Sequence, residues 1–476
     1  MALTSVEAAA KADELHKQQQ AERNELDVLR LYVTGRQKLP AVIPADAPNE
    51  VKEMARVARV NVCDIVVQSL TQSLFVDGFI APGVDDQGDA QDVEVPVWRA
   101  WMANRMNKHQ AGLHRACFTY GTSYTALTPG EPVPVIRAVS PRMLTAQYGE
   151  NLDWPVFAWE RRPTAADWLL YDDELVHRFI KDGDRFVWQS STPHRCVIDG
   201  VGRTPIVRYR DLEDLDLDDD AQSEVLGGTS LGSKTRVVAG QVAPLMALQD
   251  QMNLTSFSLK AAEWYSAFRQ RWVVGWVPGD RTAKMAAGAS QLWTFDEAPG
   301  DMQLGEFNET SLDGFLKSRD ATARFAATLS QTPVHELVGE LVNLSAEALA
   351  AAEAGRDRSV DERKTGLGES HEQTFEAAAA MMGEDIPDDS QILWRDTSAR
   401  AFAAIVDGLG KLAAQLEIPP EELWDRIPGV KQQDVRRWKR AAEGRDIVKG
   451  LGDMLGGEGG SGGDPARTGA NSGASA

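Results

Sequence analysis

Trp272-Val273-Val274-Gly275-Trp276-Val277-Pro278-Gly279 interrupts two helical stretches, and the reading of that interruption decides the fold. Valine and tryptophan dominate the run and Pro-Gly closes it as a turn, so it reads as a short strand. Gln291-Leu292-Trp293-Thr294-Phe295 reads as a second strand. Before the insert, Leu245, Leu248 and Met252 form one stripe, and Leu254, Phe257, Ala261, Trp264 and Phe268 form a neighbouring one. Offsets of three and four put each set on one helical face. After the insert, a second helix is predicted from Ser311 to Leu329. It ends at Gln331-Thr332-Pro333, because proline pushes its predecessor out of the α region. A third long helix is predicted from Ser345, a good N-cap, with Glu347 in its positive first turn.

Outward from this core, the N-terminal half changes period. Residues 1–25 are rich in Ala, Glu and Gln and read as a solvated helix or a frayed arm. Leu26, Leu29 and Val33 form a stripe that Gly35 stops. Asn49 to Gln72 is predicted as one helix, Phe79 to Val95 as a polar acidic loop, and Trp98 to Phe118 as another helix. From Tyr120 to Tyr209 the period is two. Thr122–Thr128 and Val133–Ala138 flank Pro129-Gly130, and Leu175–Ile180 and Arg185–Gln189 flank Asp182-Gly183; each reads as a hairpin. The fold class is therefore α+β, with a β block before the long helices. From Gly450 on, glycine, serine and alanine dominate, and the tail is expected to be disordered.

Composition sets limits. A chain of 476 residues is too long for one core, so two or more domains are expected. Lysine plus arginine number 50 and aspartate plus glutamate 71, a formal charge of −21. Such a balance argues against a sequence-specific DNA binder, because affinity comes from cations that neutralise phosphates; a conduit through which DNA slides is compatible with it. Cys63, Cys117 and Cys196 form no C-x-x-C pair, which argues against zinc, a redox couple or a disulfide framework. No run approaches the ~18 apolar residues needed to span a bilayer, so no membrane is expected.

Several short motifs occur in a telling order. Arg59-Val60-Asn61-Val62 with Gly78-Phe79 comes first, then Ala116-Cys117-Phe118-Thr119-Tyr120-Gly121-Thr122-Ser123-Tyr124. Gly228-Thr229-Ser230 leads to Gln249-Asp250-Gln251-Met252-Asn253, and Arg269-Gln270-Arg271 opens the strand-like insert. Thr332-Pro333 and Asn343-Leu344-Ser345-Ala346-Glu347-Ala348-Leu349 follow. In this order they resemble the portal proteins of tailed bacteriophages, in the branch typified by Bacillus phage SPP1, over about Asn24 to Arg400.

The resemblance implies a ring of about twelve subunits at one capsid vertex, closed by heterologous contacts. It implies an N-terminal arm and wing over residues 1–235, with the β block at 120–210. Stem helices at 236–271 and 308–330 would flank a clip at 272–307. A channel loop at 331–344, a long wing helix and following segment at 345–400, a crown-like helical region at 401–449 and the tail at 450–476 would complete the chain. Partners implied are the major capsid and scaffolding proteins, the terminase large subunit, a head-tail adaptor, and double-stranded DNA passing without sequence specificity. The location implied is the virion, after assembly in the host cytoplasm. The channel loop would be Val334, His335, Glu336, Leu337, Val338, Gly339, Glu340, Leu341, Val342 and Asn343, a stretch with no Lys or Arg. Trp272, Trp276, Trp293 and Phe295 would make clip or adaptor contacts, since so small a piece cannot bury three indoles by itself.

Other chemistry is weaker. Gly227-Gly228-Thr229-Ser230-Leu231-Gly232-Ser233-Lys234-Thr235 has one residue too many for a phosphate-binding loop and follows an acidic run, not a buried strand. That run, Asp211 to Asp220, holds seven carboxylates but lacks an EF-hand's glycine and closing glutamate, and reads as a solvated loop. His109 and His114 are five apart, and His177 and His194 have no cysteine, serine or acid at a telling spacing. No cofactor, metal or enzyme is expected. The competing readings are an NTP-driven packaging or remodelling enzyme using Lys234, and a non-ring minor capsid or adaptor protein.

Overall fold

The computed structural model describes residues 3–38, 43–44, 46–84, 90–149, 151–162, 167–212, 240–267, 271–274, 303–306, 311–339, 346–387, 389–395, 402–416, 418–427, 430, 435, 437–439 and 441–442. They fall into two units, residues 1–399 and 400–476.

The first unit opens with α1 (Ser5–Val33), a continuous helix with a Thr4–Glu7 capping box. α2 (Asn49–Val57) and α3 (Val62–Gln72) replace the single helix predicted there. The break is at Asn61, whose side chain accepts from the Asp64 N–H at 3.3 Å and caps α3. β1 (Val76–Val84) and β2 (Ala90–Glu94) form an antiparallel hairpin in place of the expected loop, with Ile80 opposite Glu94. α4 (Trp98–Ala103) and α5 (Met106–Tyr120) divide the next predicted helix, with Arg105 between them at φ 54°.

The β block contains both expected hairpins. β3 (Thr122–Thr128) pairs with β4 (Val135–Val139). β5 (Leu144–Tyr148), β6 (Pro155–Arg162), β7 (Asp167–Tyr171), β8 (Leu175–Asp182) and β9 (Arg185–Pro193) form a five-stranded meander. Its last turn is the Asp-Gly hairpin, where Asp182 faces Arg185. β10 (Val197–Ile198) and β11 (Val201–Gly202) make a short ladder, and β12 (Ile206–Arg210) joins the free side of β3.

The reading of residues 1–25 as solvated or frayed is overturned. Ala8, Ala12 and Leu15 are fully buried in a cluster with Trp159, Trp168, Phe179 and Phe186, one aromatic ring from each of β6 to β9. Alanines at i and i+4 let the helix lie close to that ring-covered face and remove it from water.

α6 (Met246–Ala267) follows a 3₁₀ turn at Ala243–Leu245. β13 (Arg271–Val274) pairs antiparallel with β14 (Gln303–Glu306), and α7 (Asp313–Leu329) packs on α6. The predicted strand at Gln291–Phe295 lies outside the described residues. α8 (Val334–Val338), the 37-residue α9 (Ala346–Met382) and β15 (Gln391–Trp394) complete the unit. β15 returns to pair with β1, Phe79 facing Ile392. The main core lies where Phe79, Trp101, Phe118, Tyr209 and Phe375 meet, one large ring each from β1, α4, α5, β12 and α9.

The second unit holds α10 (Phe402–Leu416) and a 3₁₀ segment at Pro420–Arg426, in the region predicted to be helical. Residues 450–476, the expected disordered tail, lie outside the described residues.

Candidate functional site

The site is built on the α6–α7 pair and the segment that carries the chain from α7 to α9. α6 is fixed at its N-terminal half by a polar ladder. The Gln249 side-chain oxygen accepts from the Val62 N–H at 2.8 Å, and its amide nitrogen donates to the Val60 carbonyl. The Asn253 Oδ1 accepts from the Val60 N–H at 3.0 Å, and the Tyr32 hydroxyl donates to Asp250 at 2.6 Å. Two separate sequence motifs, Arg59 to Val62 and Gln249 to Asn253, are thus partners across one contact. The Val60 N–H and carbonyl and the Val62 N–H lie at the break between α2 and α3, and a helix break leaves backbone groups that need such partners.

α7 buries Thr322, Ala323, Ala326 and Ala327 and leaves Phe325 68% and Leu329 56% exposed on the other side. On α6, Trp264 is 58% exposed. At their far ends the pair is closed by the β13–β14 ladder, where Trp272 faces Gly305 and Arg271 faces Glu306. The insert therefore begins with a strand at the expected place, but its partner is Gln303–Glu306. Trp276, Trp293 and Phe295 lie outside the described residues.

Beyond α7 the chain turns within four residues. Ser330 donates to the Ala326 carbonyl at 2.8 Å, Gln331 adopts φ 53°, and the Thr332 N–H reaches the Ala327 carbonyl at 3.0 Å. Pro333 then precedes α8 as its N-cap residue, with extended backbone at ψ 132°. Of the ten residues expected in a loop here, Val334, His335, Glu336, Leu337 and Val338 instead form this one-turn helix. Gly339 ends it at φ 77°, a conformation glycine takes without steric cost. Glu340, Leu341, Val342 and Asn343 lie outside the described residues. Leu337 and Val338 pack on the main core, while Val334 is 38% exposed.

The segment's lack of cations is offset from outside it. Arg356 of α9 donates to Glu336 at 2.7 Å and sits 3.6 Å from Glu353 and 3.9 Å from Asp357. One guanidinium thus faces three carboxylates, and the local charge stays negative. Pairing across a helix–helix junction is invisible in the segment's own composition.

Two further readings change. Asp211, expected in a solvated run, is buried and accepts from Arg363 of α9 at 2.7 Å and from Gln241 at 2.6 Å. Burial pushes its carboxyl up, and the Arg363 guanidinium opposes that shift. Residues 213–239, including the phosphate-loop-like stretch with Lys234, lie outside the described residues. His177 does have an acid and a serine: Nε2 is 2.9 Å from Asp172 Oδ2 and Nδ1 is 2.8 Å from Ser191 Oγ. His177 and Ser191 are direct cross-strand neighbours on β8 and β9, a relation that sequence distance hides. The Trp188 indole donates to the same Ser191 oxygen at 3.0 Å, and Asp172 also accepts from the Leu3, Glu174 and Leu175 N–H groups. This network ties a turn, a hairpin and the start of α1 together.

Cys63, Cys117 and Cys196 are all buried and unbridged. Among the described residues no group of three or more His, Cys, Asp or Glu is placed to hold a metal ion, and no helix is long and apolar enough to cross a membrane.

Comparison with known proteins bears on this architecture. The chain is 24% identical over 442 residues to the portal proteins of Mycobacterium phages D29 and L5, covering 87% of this chain and 85% of each relative. A protein in the virion of a native gene transfer agent particle superposes with a TM-score of 0.45 at 14% identity, covering 81% of this chain and 96% of that one. The model of the family described as phage portal protein, SPP1 Gp6-like, matches residues 12–447. The match takes in α1 from Ala12 on, the Val62–Gln249 ladder, the α6–α7 pair and α9, and the chain belongs to that phage portal family.

Proposed function

We propose that the protein forms a ring of about twelve copies at one capsid vertex, with the heterologous contacts that close a cyclic oligomer. Double-stranded DNA enters and leaves through the ring. The terminase large subunit docks on it during filling, a head-tail adaptor docks afterwards, and the major capsid and scaffolding proteins meet its outer surface. In this reading α6 and α7 are the stem, residues 272–307 the clip, residues 331–344 the channel-facing segment, residues 345–400 the returning wing helix and residues 401–449 the crown. Residues 1–235 are arm and wing. Trp272, Trp276, Trp293 and Phe295 make clip or adaptor contacts. The ring requires no catalysis of its own; the packaging ATPase is a separate protein.

The observation that carries this reading is the family match across residues 12–447. The acidic character of the α8 region supports the channel assignment. A wall that holds few cations makes few phosphate contacts and therefore little drag on a passing duplex.

Negative-stain imaging and native mass spectrometry of the full chain test the ring. A closed ring with a central hole is expected; single protomers at micromolar concentration under every salt condition would overturn it. The channel assignment is tested by Glu336→Lys with Glu340→Lys. Two added cations per copy, roughly two dozen per ring, should hold DNA at low salt and impair packaging while rings still form. Unchanged packaging would remove this segment from the channel and leave the ring standing.

A further inference from the structure

An open polar groove of about 620 Å³ lies where the C-terminal end of α1 meets α3 and α5. Arg30, Arg36 and Arg115 line it, with Asn61, Thr119 and Ser140 between them. Asp64 is the one carboxylate in the lining, and it pairs with Arg115. Among the described residues no ion pair forms at Arg30 or Arg36. The lining therefore carries three guanidiniums and one carboxylate, 3 − 1 = +2, in a chain whose formal charge is −21. Of the hydroxyls, Thr119 already donates to the Arg115 carbonyl at 2.7 Å and Thr34 to the Arg30 carbonyl at 2.8 Å. Val62, Cys63 and Asp64 N–H groups are likewise taken by Gln249 and Asn61, so the start of α3 offers few free donors. What remains is the set of guanidinium N–H groups. They belong to two elements and one loop that border one space, with Arg30 and Arg36 exposed to solvent, and are of the type that recognises tetrahedral oxyanions by paired hydrogen bonds.

We propose that this groove is a phosphate-binding site, with Arg30 and Arg36 as its principal donors, Arg115 as a third held in place by Asp64, and a phosphate group as the ligand. Phosphate fits better than carboxylate because three cations bordering one space match a group with three or four equivalent oxygens. The same chemistry is presented by a DNA phosphodiester and by free phosphate. The site is separate from the α8 segment, and its test does not depend on a channel.

The test uses the full-length protein with two probes: inorganic phosphate followed by calorimetry, and a fluorescent 30-base-pair duplex followed by anisotropy at low salt. Arg30→Ala with Arg36→Ala should weaken binding roughly a hundredfold, since each lost charged contact is worth about a factor of ten. Asp64→Asn should tighten it. Arg185→Ala, a cation exposed on the β8–β9 turn, serves as control, and thermal melts should show all variants folded. Loss of duplex binding in the double variant, with a shallower salt dependence, identifies the phosphodiester as the source. Loss of inorganic phosphate binding alone identifies free phosphate. Binding of neither probe, or an equal loss in Arg185→Ala, overturns the proposal.

Discussion

The Nε2 atoms of His114 and His371 lie 3.0 Å apart in the main core, on α5 and α9. At that distance one ring must carry the hydrogen and the other the lone pair, so the accepting ring is neutral. His371 Nδ1 is 3.1 Å from the Tyr209 hydroxyl, which in turn is 2.7 Å from Thr374 Oγ1. The Trp101 and Trp394 rings meet His371 edge-on at 5.3 and 5.7 Å. Burial lowers His114 to about 4 and holds His371 well below the usual imidazole range, and neither ring has a carboxylate partner here to offset it.

This pair sets an acid sensitivity. In the unfolded chain His114 takes a proton near 6.5, but in the native core only near 4. The unfolded state binds more protons between those values, so the stabilisation is complete above the upper one and is lost as pH falls toward the lower one. The loss amounts to about 3 kcal/mol for His114. Urea unfolding at about pH 7.5 and about pH 4.5, for wild type and His114→Gln, measures it, because each group that titrates only in the unfolded state adds one proton to the pH slope of stability. The variant should show a flatter pH dependence; an identical slope would mean that the pair is charged in the native state.

The contact of α1 with the sheet gives a second expectation. Leu15 is fully buried in the cluster with Trp159 and Phe179. Leu15→Ala should cost about 3 kcal/mol, because the rigid aromatic face cannot close the space left behind. Denaturant midpoints followed by tryptophan fluorescence would show it. A loss below about 0.5 kcal/mol, typical of a surface position, would mean that the N-terminal helix is solvated after all.

Arg363 and Asp211 form a buried ion pair, with side chains 4% and 0% exposed. Arg363→Met removes one charge and strands the other. It should destabilise by about 3 to 5 kcal/mol, whereas Arg363→Met with Asp211→Asn should recover part of that loss. Chemical denaturation of the two variants distinguishes the outcomes, and a double variant no better than the single one would deny the coupling.

The Gln249 ladder gives a fourth. Gln249→Leu keeps the volume but leaves the Val62 N–H and the Val60 carbonyl without their partner. A cost of about 2 to 4 kcal/mol is expected for these stranded backbone groups, to which the more distant Cys63 N–H adds a third. Hydrogen exchange should show the Val62 amide opening faster; an unchanged rate there would show that water or a neighbouring group replaces the glutamine.

Residue order alone reveals much of the long-helix half. The stripes through Leu245 and Met252, the stop at Thr332-Pro333 and the Asp-Gly turn at 182–183 are local signals, and each lies at an observed element or its end. Helical and strand periods are set by neighbours three, four or two residues away, so a single chain displays them. The expected site is only partly legible. Pro333 marks the start of the segment after α7, but the one-turn helix from Val334 to Val338 and its Arg356 partner depend on α9 lying alongside.

What the sequence by itself determined is the α+β class, the order of the elements and the motifs that carry the family likeness. What only tertiary structure decided is which of those motifs meet. The pairing of β1 with β15, the burial of α1, and the contacts of His114 with His371, His177 with Ser191 and Gln249 with Val62 all join residues from different elements. The physical reason is that burial and hydrogen bonding reward contact in space whatever the separation along the chain, while sequence periodicity records only the nearest few residues.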